Sequence, residues 1–467
     1  MFDVKFTIEE LLKATGGTLH GPQPQFTEIE NIVTDSREVS KNALFIAFSG
    51  DNFDAHQFLS QAVKNGAIIL CIQEDKVSSC PSGIPAILVP STLTAFQNIA
   101  RFHRLRFHDL RMIMLTGSCG KTSTKEAIRA ICVQAFGENS VLATEGNTNN
   151  QIGVPQNLLR LKPNHKVAVI EAGTNHHGEI APLSHCAIPD VALIVSIARC
   201  HLEFLGSLDG VAEEKSKIFT HLNPASGIAV IPSECPGHDI LLDAAKGFHQ
   251  ITFGCTESND TSSDLSSTYL GGNLHGSSFI LKENSTGKSF KVQWHLQGKH
   301  NASNAAAAAA AGHAIGISME DIAHGLSQTT LPGLRSKITE HNGVTWIDDA
   351  YNANPDSMIA ALHWLKEFVL PKKLYLVLGD MGELGENTVE LHANVCKVAR
   401  EFFPDAHYIF VGEKMKKAAQ MTGLKGLSFS DSENAANSFP DIPQGYLVFL
   451  KASRSTRLER IEQKVFS

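Results

Sequence analysis

The sequence predicts an α/β fold in three domains. The central one is a phosphate-loop domain on a doubly wound parallel sheet with a small antiparallel insertion, and the C-terminal one is Rossmann-like. Three observations predict this. The chain has 467 residues, enough for roughly three domains at about 150 residues each. Short apolar runs alternate with helix-forming segments along nearly its whole length, the pattern of parallel strands joined by helical crossovers. One apolar run, residues 111–117, ends in a glycine-rich turn that opens a helix.

Composition narrows the class. Hydrophobic residues make up 43% and charged residues 19% of the chain, which suits packed cores and excludes disorder as the main state. The formal net charge is −8 and the pI about 6.2, so a general nucleic-acid or acidic-membrane binder is not expected. Nine cysteines occur without any CxxC pair. That indicates neither a disulfide framework nor a zinc ribbon, and scattered thiols fit a reducing compartment. The N-terminus carries acids early and does not read as a signal peptide. No run approaches the ~20 apolar residues of a membrane span, Ala305–Ala311 included. A soluble, cytoplasmic chain is expected, with monomer as the default.

Residues 1–105 read as a first α/β unit. TIEELLKATGG is a helix with Thr7 as N-cap and Gly16–Gly17 at its end. NALFIAFSG, AIILCI and PAILVP are apolar strands, and HQFLSQAVKNGA is a helix between them. The central unit, 106–331, begins with the strand RMIMLTG and a helix over Thr122–Phe136. KVAVIEAG and DVALIVSIA are further strands; 256–268 is a polar loop. SSFILKEN and KSFKVQWHL alternate like antiparallel strands, so a small β insertion is placed at about 250–296. NASNAAAAAAAGHAIG is a strong helix former. A third unit, 332–467, starts near Pro332–Gly333, with VTWIDDAYNANP, KLYLVLGDM, AHYIFVG and GYLVFLKAS as strand candidates.

The segment Thr116-Gly117-Ser118-Cys119-Gly120-Lys121-Thr122-Ser123 is the strongest local signal. Glycines let backbone N–H groups turn toward phosphate oxygens, and the helix start adds positive potential. Lys121 would reach the β- and γ-phosphates of a nucleotide, and the Thr122 hydroxyl would sit on Mg²⁺. Walker A spacing wants glycine where Thr116 stands, so this is a shortened GxxGKT loop. The competing reading is a glycine-rich turn with an exposed lysine, which the flanking strand and helix disfavour.

Metal ligands for such a loop belong at the carboxyl ends of neighbouring strands. Glu171 ends KVAVIEAG, and His201 follows DVALIVSIARC. Mg²⁺ prefers oxygen, so Glu171 is the primary candidate and His201 a supplementary one. Among 21 histidines a single one carries little weight by itself. Lys215 lies in GVAEEKSKIF, a helix with an acidic face, where a surface lysine is the ordinary reading.

TGSCGKTSTKE, GNTNNQIGVP, EAGTNHHGEI, HLEFLGSLDGVAEEKSKIF, GKHNASNAAAA and DDAYNANPDSM occur in the order found in the Mur ligases, which this chain resembles over nearly its full length. Asp35-Ser36-Arg37 and LFIAFSGDNFDAHQF resemble that family's UDP-muramoyl-binding first domain; LGDMGELG and KASRSTRLE resemble its third. DDAYNANPDSM and NTNN look like the member that adds D-alanyl-D-alanine to a UDP-N-acetylmuramoyl-tripeptide. Asn352 stands where ligases for earlier amino acids carry histidine, and a DNPR segment is absent.

The resemblance implies ATP and Mg²⁺, with an acyl phosphate formed on the tripeptide's terminal carboxylate and attacked by the dipeptide amine. Carried over, Gly117, Ser118, Cys119, Gly120, Lys121, Thr122 and Ser123 would hold the phosphates. Thr122 and Glu171 would hold one magnesium; His201 and a carbamylated Lys215 would hold or support a second. Carbamylation needs a neutral amine, hence a lowered lysine pKa. Asn301 and Asn304 would contact adenine. Arg335 and Asp349 would reach ATP from the third domain, so that closure completes the site. Asn149, Asn150, Asn175, His176 and Arg199 would line the muramoyl-peptide path, and Ser36 and Arg37 would meet the uridine diphosphate. The dipeptide would lie near Asn352, Asn354 and the 380–384 loop.

The chain departs from the family pattern at His177 for proline, Ala55 within DGH, Ala452 for the glycine of a KGSR-like segment, and Cys119 in the phosphate loop, where a thiol is a candidate for oxidation. Rivals are a folylpolyglutamate-type ligase, disfavoured by the N-terminal DSR segment, a P-loop NTPase without an acyl acceptor, and a nucleotide-sugar binder without turnover. Lys121, Thr122 and Glu171 argue against the last.

Overall fold

The computed structural model describes residues 2–50, 52–256, 262–331 and 337–467. The expected break near Pro332–Gly333, and Arg335 with it, lie outside the described residues. Among the described residues three large sheets form, with six, nine and six strands.

In the first sheet four parallel strands, Glu28–Val33, Ala43–Ile46, Ala67–Gln73 and Ala86–Val89, are flanked by antiparallel edges Phe2–Thr7 and Thr18–His20. The three expected strands are present. The edges and Glu28–Val33 carry polar residues on alternate positions and lack the uniform apolar run of a buried parallel strand. Helix Ile8–Thr15 starts as expected: Thr7 Oγ1 accepts from Glu10 N (3.1 Å) and Glu10 Oε2 accepts from Thr7 N (2.9 Å). Its end needs Gly16, whose φ is +67°. A helix not expected from sequence, Thr92–Arg104, is capped by Ser91. It packs on Gly153–Leu158 and Ile180–Ala187 of the central unit, so one apolar core runs through both.

The central sheet orders Val141–Ala143, Val167–Glu171, Arg111–Thr116, Val191–Ile194, Ile228–Pro232, His249–Thr256, Leu265–Asn273, Gly276–Glu283 and Ser289–Trp294. Pairing is parallel through Leu265–Asn273 and antiparallel for the last two strands. The antiparallel part is thus a continuation of the main sheet. It begins at Leu265, later than the expected 250, and residues 265–268 are strand where a polar loop was expected. Helix Lys299–Ala314 buries all of Ala305–Ala311. Small side chains let it lie close against helix Lys121–Phe136 and strand His249–Thr256.

The third sheet orders Lys337–His341, Val344–Asp348, Leu447–Lys451, Leu374–Gly379, His407–Val411 and Leu427–Phe429, parallel except for its first pair. All four expected strands are there; both edges escaped the sequence. Behind it Asp348 is fully buried and faces Glu462 of helix Glu459–Val465. Burial, with Asp348 beside it, pushes Glu462 up to about 7. The folded state therefore keeps a proton that the unfolded chain releases near pH 4.5. Stability from this group is full below that pH and is lost as pH rises to about 7. Glu462→Gln is expected to flatten this slope and to raise stability at pH 8 by about 2 kcal/mol. Melting curves across pH check it; an unchanged slope would remove the coupling.

Candidate active site

Strand Arg111–Thr116 lies between Val167–Glu171 and Val191–Ile194, parallel to both. Their carboxyl ends therefore bring the 117–120 turn, Glu171 and residues 195–201 to one edge of the sheet. The turn needs glycine twice. Gly120 has φ +78°, and a Cβ there would lie 2.4 Å from Asn304 Oδ1. A Cβ on Gly117 would lie 3.0 Å from Val195 Cβ and 3.1 Å from Ser196 N.

Two serine hydroxyls hold this turn, of which the sequence did not single out Ser196. Ser196 Oγ accepts from Cys119 N and donates to Cys119 O, both at 2.9 Å. Ser118 N donates to Ser196 O (2.9 Å), and Ser118 Oγ donates to Ala198 O (3.2 Å) and accepts from Ala198 N (2.9 Å). Lys121 Nζ donates to Gly117 O at 2.8 Å, which holds its ammonium over the turn. Ser123 is buried in the first helical turn. Burial raises the Cys119 pKa, so the group is a thiol and not the thiolate that oxidation requires.

Glu171 is buried with both oxygens engaged: Oε2 accepts from Thr122 Oγ1 (3.0 Å) and Oε1 from Asn149 Nδ2 (2.8 Å). Thr144 Oγ1 accepts from Glu171 N at 2.9 Å and fixes the strand end. Beyond it, Glu179 Oε2 accepts from Asn175 N (2.8 Å), His176 N (3.1 Å) and Thr174 Oγ1 (3.0 Å). Glu214, also buried, accepts from the amides of Gly178 (2.8 Å), Glu179 (3.0 Å) and Ile180 (2.9 Å). His177 Nδ1 stands 3.9 Å from Glu214 Oε2. The His176 ring packs on Phe204, with centroids 4.2 Å apart. Asn150 Oδ1 accepts from the amides of Ile152 (3.1 Å) and Gly153 (2.8 Å), so it shapes the loop ahead of helix Gly153–Leu158.

Lys215 is no surface lysine: only 1% of it is exposed. Burial, helped by the nearby Lys121 ammonium and opposed by Cys200, Cys119 and Glu214, lowers its pKa to about 8. Its helix is short, and Glu214 beside it is buried while Asp209 and Glu213 stay exposed, which sequence periodicity could not reveal.

The third domain reaches this edge at several points. Asn354 caps helix Pro355–Lys366 through Ser357 N (2.8 Å) and donates from Nδ2 to Cys119 Sγ (3.0 Å). Asp356 accepts from Arg199 N (2.8 Å) and Arg199 Nη1 (2.9 Å). His201 Nδ1 meets Glu383 Oε2. That contact holds the Glu383 carboxyl below the usual range. Lys451 pairs with Asp349 and donates to Asn352 O at 3.4 Å. Asn352 Oδ1 accepts from Ala353 N (2.9 Å). Asp356 and Glu383 belong to segments legible in the sequence, but their pairing across the seam is not.

Asn304 Nδ2 donates to Asn301 Oδ1 (2.9 Å), and Asn301 Nδ2 to Gln297 O (2.8 Å). Beside them a cavity of about 770 Å³ opens between the helices Lys299–Ala314 and Pro355–Lys366, lined by His300, Ser303, Phe253 and Trp364. Tyr269 Oη donates to Glu367 Oε2 there at 2.6 Å. Burial pushes His300 down to about 4. In the first domain Ser36 is buried against Gln61 (3.5 Å), and Arg37 is exposed and pairs with Asp35 at 2.6 Å.

The structure thus brings together Lys121, Thr122, Glu171 and Asn149, with Lys215, Asn304 and Asn354 around the same turn. It does not gather His201 with Glu171 as a three-residue His/Cys/Asp/Glu metal cluster; among the described residues no such group exists. Also among the described residues, no helix is long and apolar enough to cross a membrane.

Family models match in three stretches: a Mur ligase family catalytic domain at 28–103, a Mur ligase middle domain at 115–312, and a Mur ligase glutamate ligase domain at 335–454. The chain belongs to the Mur ligase family, the class that its three sheets and its phosphate loop define. It is 35% identical to the UDP-N-acetylmuramoyl-tripeptide–D-alanyl-D-alanine ligase of Bacillus subtilis over 98% of both chains. A crystal structure of MurF from Acinetobacter baumannii superposes with a TM-score of 0.90 at 33% identity, covering 100% of each. MurF from Thermotoga maritima in complex with ADP gives 0.78 at 26% identity, covering 93% of this chain and 96% of that one. Within the family, the chain groups with these D-alanyl-D-alanine-adding ligases.

Proposed function

We propose that this chain joins the amine of D-alanyl-D-alanine to the terminal carboxylate of a UDP-N-acetylmuramoyl-tripeptide, cleaving ATP to ADP and phosphate, in cytoplasmic peptidoglycan precursor synthesis. The observation that carries the reading is the seam itself. A phosphate loop with a buried Thr122–Glu171 pair is touched at Cys119 by Asn354 of the third domain, while Asp356 of that domain pairs with Arg199 beside it.

A carboxylate resists attack by an amine because oxide would have to leave. The tripeptide carboxylate oxygen therefore attacks the γ-phosphorus, the bond to ADP breaks, and an acyl phosphate forms. The amine nitrogen then attacks the acyl carbon. A C–N bond forms, the C–O bond to phosphate breaks, and phosphate leaves with the electron pair while the amine's surplus proton passes to solvent. Two anions must meet in the first step. Lys121 and the backbone amides of Gly117–Gly120 offset that repulsion, with Ser118, Cys119 and Ser123 shaping the cradle.

Thr122 and Glu171 present oxygen donors side by side, a set that fits Mg²⁺. There the ion would neutralise phosphate charge and polarise the transferring phosphoryl group. His201 and Lys215 are assigned to a second ion. Glu383 on Nδ1 orients the His201 ring, whose Nε2 has no partner among the described residues, as carboxylates commonly do for metal-binding histidines. A Lys215 pKa near 8 makes neutral amine available to CO₂. Removing bicarbonate is expected to lower activity several-fold, with recovery on its return, and mass analysis should find carbamate on Lys215. Activity indifferent to bicarbonate together with an unmodified Lys215 would remove this assignment.

Asn301 and Asn304 are assigned to adenine beside the 770 Å³ cavity, and Asp349 and Arg335 to the nucleotide from the third domain. Asn149, Asn150, Asn175, His176 and Arg199 are assigned to the muramoyl peptide, Ser36 and Arg37 to the uridine diphosphate, and Asn352 and Asn354 to the dipeptide side. The three domains are taken as 1–105, 106–331 and 332–467, acting as a monomer.

The test is phosphate release from ATP with UDP-muramoyl-tripeptide, with and without D-alanyl-D-alanine. One pentapeptide product per phosphate, requiring both substrates, is expected. Release that ignores the dipeptide would overturn the reading.

A further inference from the structure

Glu383 is a non-glycine residue at φ +59° in a loop with glycine on both sides, at 382 and 385. Glycine would adopt that backbone without strain, so a side chain kept there has a use. Its carboxylate crosses the seam to His201, itself at φ +52°. Glu203 N donates to Glu383 O at 3.3 Å and anchors the loop's backbone to the same turn. Only Oε2 is engaged. Oε1 has no partner among the described residues, and 42% of the side chain is exposed.

Three neighbouring carboxylates are committed. Glu171 serves Thr122 and Asn149, Asp356 serves Arg199, and Asp349 pairs with Lys451. An incoming dipeptide brings an α-ammonium that an anion beside the acyl group attracts, and it sheds one proton to solvent before its nitrogen attacks. We propose that Glu383 is the ammonium-binding residue for the acceptor: one carboxylate oxygen orients His201 while the other holds the dipeptide's amino terminus next to the phosphorylated carboxyl.

This deepens the ligase reading and rests on it. The test compares D-alanyl-D-alanine with D-lactoyl-D-alanine, which carries hydroxyl in place of ammonium, on the full-length enzyme. The wild type should bind the dipeptide about tenfold tighter or more, the value of a charge-assisted hydrogen bond. In Glu383→Gln that preference should collapse to near unity through a raised KM for the dipeptide. Loss of His201 orientation affects both acceptors alike and cancels in that ratio, and ADP–ATP exchange driven by UDP-muramoyl-tripeptide, which needs no dipeptide, reads that loss separately. Glu383→Gly, which relieves the backbone, should show the same collapse. A preserved preference would overturn the proposal and leave Glu383 as a support for His201 alone. Absence of exchange in the wild type would instead remove the ligase reading itself.

Discussion

Replacing Lys121 with alanine is expected to lower ligation by about 10³-fold or more while leaving the fold and melting temperature nearly unchanged. The structure separates the two effects. The turn is held by Ser196 Oγ on both sides of Cys119 and by Ser118 on Ala198, and none of these contacts involves Lys121. Among the described residues its ammonium makes one hydrogen bond, to Gly117 O, and losing that contact costs about 1 kcal/mol at most. The charge has a different value in the reaction. Phosphoryl transfer brings a carboxylate against a polyanion, and a fixed cation a few ångströms away acts on charge that develops in the transition state. Steady-state turnover and thermal unfolding, measured on the same preparation, check the prediction. Near-normal turnover would withdraw the phosphate-loop assignment; a large fall in melting temperature would show that Lys121 holds structure instead.

Glu214→Ala is expected to destabilise the central domain by about 3 kcal/mol or more, since three amide donors lose their acceptor together. The amides of Gly178, Glu179 and Ile180 all point at this one buried carboxylate. Its removal leaves them unpaired at the start of helix Ile180–Ala187, where the helix dipole also favours an anion. The loop above carries Asn175 and His176, so the KM for the UDP-muramoyl-tripeptide should rise as well. Glu214→Gln keeps the shape and one acceptor oxygen, and a smaller loss is expected. Unfolding curves of the pair rank the two effects. A Glu214→Ala protein with wild-type melting would mean that water replaces the carboxylate at little cost.

These two residues differ in how they can be found. Lys121 stands in a spacing that only a phosphate loop requires, so strand, turn, lysine and helix were legible together. Glu214 is one acid among several in a polar helix, and its three partners lie 34 to 36 residues away in the chain. The buried parallel strands were legible for the same kind of reason as the loop. A strand covered on both faces must be apolar throughout, which leaves a mark on consecutive residues. The edge strands Phe2–Thr7, Lys337–His341 and Leu427–Phe429 are exposed on part of their surface and carry no such mark.

The sequence by itself determined the class of the molecule. Local chemistry suffices for that: a glycine turn after an apolar strand, an acid at the next strand's end, and motifs in a fixed order. Tertiary structure alone decided the electrostatics. Lys215 becomes a weak base because the fold buries it, Ser196 and Thr144 become rivets because neighbouring strands end beside the loop, and His201 meets Glu383 because the third sheet docks on the central one. Burial and cross-domain pairing depend on residues more than a hundred positions apart, and no periodicity within a segment records who will stand opposite.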